Sequence, residues 1–147
     1  MLKETSFLDQ IQYIRQLTRK IMNPLSMTGA TIVTVALISY SIGIISEQVK
    51  KKLIPRVLVF ITLGVVLDVT ATIFMILGSK NSPFTLHGLI GYSALLAMII
   101  EVTRIWNAFL KAGLRSDVPS RVHLYSRYAY IWWVIAYITG TLIAISA

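Results

Sequence analysis

The sequence predicts an all-α integral membrane protein, a bundle of four transmembrane helices preceded by an amphipathic helix in the membrane interface. Three observations carry that prediction. The chain of 147 residues is 56% hydrophobic with a mean hydropathy of +0.72, too apolar for a soluble domain of this size. Four stretches, 26–46, 57–77, 84–108 and 122–145, each supply the roughly 20 apolar residues needed to cross about 30 Å of hydrocarbon. The basic residues alternate between connections, as they do in multi-pass proteins.

Residues 1–24 read as an interfacial arm and residues 25–147 as one four-helix domain. In the arm, Phe7, Leu8, Ile11, Ile14, Leu17 and Ile21 share one face, opposite Asp9, Gln12, Arg15, Gln16 and Arg19. A helix of this pattern lies in the headgroup region. Ser6 and Asp9 stand where a capping box would start it. Asn23-Pro24 would end it. Charge interrupts the apolar run, which does not have the form of a signal peptide. A partner-binding helix is the alternative reading.

The first span is rich in small and hydroxylated residues, among them Gly29, Ala36, Ser39 and Gly43. Such residues let helices approach closely and bond across their interface. The second span starts at Pro55, a favourable first helical position, and holds Asp68 near its middle. A carboxylate there costs about 2.5–3.5 kcal/mol on insertion scales, so it must face the bundle and find a partner.

In the third span Ser82 is expected to cap the helix with Pro83 as its first residue. His87 then lies about one turn inside, followed by a strip without bulk at Gly88, Gly91 and Ala94. Glu101 and Arg104, three apart, stand where side chains can pair. Glu101 is 14 residues beyond His87 on a similar face, about 21 Å along the axis. The fourth span is expected to start at a Ser120 cap, which puts His123 in its first turn. Tyr130, Trp133 and Tyr137 form one aromatic face, read as helix contact ahead of a pocket wall.

The formal charge of +8 is an orientation signal and not a nucleic-acid footprint. The first and third connections and their flanks hold nine of the 14 basic residues: Lys50, Lys51, Lys52, Arg56, Arg104, Lys111, Arg115, Arg121 and Arg127. The arm and the second connection hold the other five, and the C-terminal tail none. Connections one and three should therefore face the cytoplasm and both termini the outside. The absence of cysteine excludes disulfides, iron–sulfur ligation and thiol chemistry. A conventional hydrolase is not expected, for want of a nucleophile–base–orienter set, a metal-ligand cluster at a workable spacing or a phosphate-binding glycine loop.

The two histidines are the best metal-ligand candidates. This topology places them on opposite sides of the bilayer, so they cannot share one iron. His87 would draw a second ligand from Met75, Met27, another protomer, or nothing; His–Met ligation of haem iron is known chemistry. His123 has tyrosines and Glu47 within reach, with Arg121 and Arg127 placed to hold haem propionates. A reading from a different class is a small proton-coupled transporter or channel-like subunit using Asp68, Glu101 and Arg104. A third is a structural or sensory subunit whose arm binds a partner.

Several of these pieces stand in one order. Leu67-Asp68-Val69-Thr70-Ala71-Thr72 with Met75 is followed by Leu86-His87-Gly88-Leu89-Ile90-Gly91, then Met98 and Trp106. His123-Leu124-Tyr125-Ser126 and Tyr137-Ile138-Thr139-Gly140 complete the series. It resembles the HsmA family, small bacterial four-helix membrane proteins associated with haem sensing, binding and protection. The resemblance spans roughly residues 30–145 and leaves the arm outside. It implies a protein of the bacterial cytoplasmic membrane that captures haem b and turns it to redox or oxidative-stress defence, with the lipid bilayer and a redox partner or second copy as its other partners. Carried over by position, His87 and His123 would be the ligands and Asp68 a buried family residue. The family carries a histidine near the position of Glu101; its replacement implies a member with one haem site fewer, or none.

Overall fold

The computed structural model describes residues 7–13, 24–79 and 84–146. Of the arm, 7–13 form a short helix, α1, which leaves Phe7, Leu8 and Tyr13 largely exposed. The expected cap at Ser6, the apolar face beyond Tyr13 and the stop at Asn23 lie outside the described residues. Four long helices follow: α2 (Pro24–Lys50), α3 (Pro55–Gly78), α4 (Leu86–Ala112) and α5 (Ser120–Ser146). All four are long and apolar enough to cross a membrane. Their outward faces carry large apolar side chains, as lipid contact requires: Ile38, Val59, Leu96 and Leu142 are each more than half exposed.

The helices run up and down in ring order. α2 lies closest to α3, α4 lies next closest to α5, and the α3–α4 and α2–α5 sides close the square. The reason for the tight α2–α3 seam is legible in the spacing of small residues. Gly29, Ala36 and Gly43 recur every seven residues on α2, and Gly64, Ala71 and Gly78 do so on α3. A seven-residue period keeps one stripe facing the partner over the whole length. A Cβ at Gly64 would come 2.7 Å from Tyr40 Cβ, and one at Gly78 would come 2.6 Å from the Ser26 backbone nitrogen. The expectation that small residues serve packing holds here. Ser39 adds a hydrogen bond from Oγ to the Phe60 carbonyl, 3.0 Å, across the same seam.

Two boundaries differ from the sequence reading. The N-cap of α4 is Thr85, whose hydroxyl accepts from Gly88 N at 3.0 Å. The helix thus starts after the expected Ser82–Pro83 cap, a pair outside the described residues, and His87 is its second residue. At α5 the first free carbonyl is that of Pro119, which accepts from Val122 N and His123 N, so Ser120 is already helical. α2 also runs past the expected end at residue 46, which carries Glu47 and Gln48 into the helix.

The first and third connections meet. Leu53 N donates to Ser116 O at 2.9 Å, Arg115 N to Leu53 O at 2.8 Å, and Val118 N to Lys51 O at 2.9 Å. Lys51 and Arg115 adopt the left-handed conformation (φ 52° and 64°) that turns the chain into this pairing. The result is a small backbone clasp over one end of the bundle. At the opposite end α3 connects to α4.

Candidate functional site

The apolar core holds five buried polar or charged residues: Ser39, Glu47, Asp68, Glu101 and Ser126. Polar groups in such a place need partners, and the partners cross the bundle. On one diagonal Trp133 Nε1 of α5 donates to Asp68 Oδ2 of α3 at 3.0 Å. On the other the Tyr40 hydroxyl of α2 donates to Glu101 Oε2 of α4. The Tyr40 and Trp133 rings meet edge-on, centroids 5.3 Å apart, so the diagonals touch. Helices too far apart for backbone contact are thereby tied through the centre.

The expectation that Asp68 faces the bundle and finds a partner is met by Trp133. The aromatic face of α5 is helix contact. Tyr130 bonds Ser41 at 2.9 Å, Tyr137 bonds Thr34 at 3.2 Å, and Trp133 reaches Asp68. Glu101 and Arg104, read as neighbours able to pair, go separate ways. The Arg104 guanidinium sits 4.3 Å from the centre of the Tyr125 ring, a cation–π contact. Asp68, Glu101 and Arg104 therefore make three separate interhelical contacts.

Closer to the clasp, His123 Nδ1 lies 2.8 Å from Glu47 Oε1. Glu47 is fully buried, while the imidazole is 18% exposed. Gln48 Nε2 donates both to Glu47 Oε2 at 2.6 Å and to the His123 carbonyl at 3.0 Å. Gln48 Oε1 in turn accepts from Arg127 Nε at 3.3 Å. The contact between His123 and Glu47 fixes the orientation of the ring. With Nδ1 held by a carboxylate, the other ring nitrogen is the one left for a ligand; metal-binding histidines are commonly oriented in this way. Among the described residues His123 Nε2 has no hydrogen bond. Arg121 and Arg127 are exposed at the same end.

His87 is placed differently. Its Nδ1 bonds Thr139 Oγ1 at 3.2 Å. Its other edge rests on Gly140, where a Cβ would come 2.8 Å from Cε1 and 2.9 Å from Nε2. The glycine makes room for the imidazole. Met75, one expected partner, packs on Gly29 of α2, and Met27, the other, is half exposed on the outer face of that helix. The structure brings neither sulfur to His87. The expected wide separation of the two histidines is present, because α4 and α5 run antiparallel and each histidine sits near the start of its helix.

No group of three or more histidine or carboxylate side chains gathers as a metal site among the described residues. Two surface hollows are apolar grooves, one of about 340 Å³ between α3 and Trp106, the other of about 460 Å³ along Met27–Val35. Neither contains a histidine. The sequence reading anticipated Glu47 near His123 but missed Tyr40, Gln48 and Thr139 as partners. A phenol inside an otherwise apolar span was the available signal for Tyr40, which stands seven residues before Glu47 and so on nearly the same face. No family model, no curated protein and no solved structure matches this chain.

Proposed function

We propose that this is a haem-binding protein of a bacterial cytoplasmic membrane, holding haem b at the clasp end through His123. One observation carries the choice of residue. Glu47 accepts from His123 Nδ1 and leaves Nε2 for iron, whereas His87 has Gly140 against the corresponding edge. The order of the histidine, aspartate and glycine motifs supports the class of ligand through the likeness to the HsmA family. Two of those motifs prove to be partners in space, since His87 packs on Thr139 and Gly140.

On this reading each group has a stated task. Glu47 holds the ring and raises the basicity of the ligating nitrogen. Gln48 fixes the carboxylate. Arg121 and Arg127 offer charge to propionates at the membrane surface. Bound haem would supply iron able to exchange electrons, the chemistry of redox or oxidative-stress defence. Under the charge rule the clasp end, with its lysines and arginines, faces the cytoplasm, and both termini lie outside.

The visible absorption spectrum of the detergent-purified protein after haem reconstitution tests the proposal. Wild type and His87→Ala are expected to show a Soret band, and His123→Ala to lose it. If none of the three takes up haem, the proposal is overturned. A band lost only in His87→Ala would move the site to the far end.

A further inference from the structure

The diagonal bond between Tyr40 and Glu101 accounts for one carboxylate oxygen only. Glu101 is 0% exposed, and its Oε1 has no hydrogen-bond partner. The Ser126 hydroxyl, also 0% exposed, faces the same carboxylate and has none either. Two unpartnered polar atoms in one sealed place are costly, since each loses its water without recovering a bond.

The charges around Glu101 narrow what it can hold. From α2 it is faced by Tyr40 and, more distantly, by the Glu47 carboxylate. From α3, Asp68 lies across the Tyr40 ring. From α5 come Ser126 and the Tyr125 phenol, and on α4 itself Arg104 turns its guanidinium to that phenol. The neighbours are thus acidic or neutral, except one arginine committed elsewhere. An ionised carboxylate deep in a membrane bundle, with carboxylates as its charged company, is the most expensive arrangement available.

We propose that Glu101 is a proton-binding site in the middle of the bundle, carrying its proton on Oε1. The acid O–H donates to Ser126 Oγ, while Oε2 accepts from Tyr40. That proton removes the buried charge, and Oε1 and Ser126 Oγ become each other's partners. The site uses different side chains from the Glu47–His123 pair, which stands nearer the clasp.

Infrared spectroscopy of the protein in lipid at neutral pH tests it. Wild type is expected to show a protonated-carboxyl C=O band that moves to lower frequency in D₂O and is lost in Glu101→Gln. In Ser126→Ala the band is expected to persist at higher frequency, because its hydrogen-bond acceptor is gone. No acid band in wild type overturns the proposal, as does a band that survives in Glu101→Gln and is lost in Asp68→Asn. Should Glu101→Gln fail to assemble, Ser126→Ala decides: a shifted band supports the site on Glu101, and an unmoved band overturns it.

Discussion

The two histidines make a controlled comparison inside one molecule. Each is near the start of an antiparallel neighbour helix, and each has Nδ1 within hydrogen-bond reach of an oxygen on another helix. They differ in what meets the rest of the ring. At the far end a glycine admits the partly exposed imidazole of His87 into the α4–α5 seam. At the clasp end a buried carboxylate holds Nδ1 of the ring. What stands around the ring separates the two cases: a carboxylate braced by an amide at His123, a hydroxyl and a glycine at His87.

The strongest way to break the comparison is to exchange the roles. His123→Ala is expected to abolish haem uptake while His87→Ala preserves it, read from the Soret band of reconstituted protein. A smaller effect isolates the orienting carboxylate: Glu47→Gln keeps a partner for Nδ1 but removes its charge, and is expected to weaken haem affinity by about 10- to 100-fold. Haem titration measures it, and unchanged affinity would detach Glu47 from the site.

At the far end the expected effects are on stability. Gly140→Ala puts a methyl group within 3 Å of the His87 ring and is expected to cost about 1–3 kcal/mol, as overpacking does. Gly91→Ala is the matched control: nothing lies within 4 Å of its Cβ, so reversible unfolding in detergent should find it neutral or slightly stabilised. The smallest change expected is Thr139→Ala, which removes the hydroxyl's bonds to His87 and to the Ala136 carbonyl, the interhelical one worth about 0.5–1.5 kcal/mol, with haem uptake unaltered. A loss of haem in Thr139→Ala would tie the far end to function and dissolve the contrast.

The four spans were legible because an apolar run of that length has few other uses, and the close packing of the first span because its small residues stand out; that α3 is its partner was not. Asp68 announced that it needed a partner, but Trp133 could not be named as that partner. Side chains across a diagonal meet according to helix rotation, which apolar composition on every side does not encode. The α4 start was misplaced for a local reason. Ser82-Pro83 and Thr85 both offer capping chemistry, and only the geometry of the connection decides between them. Glu101 and Arg104 show the limit of spacing rules, since adjacency on one helix lost to an aromatic ring and a phenol on two others.

The clasp has a consequence for how the protein is made. Leu53 and Arg115 exchange backbone hydrogen bonds with residues that stand on opposite sides of two complete membrane crossings, α3 and α4. Those bonds cannot form while either crossing is unfinished. Their formation therefore marks the end of insertion, and amide exchange at Leu53 and Arg115 would report that moment in the life of the chain.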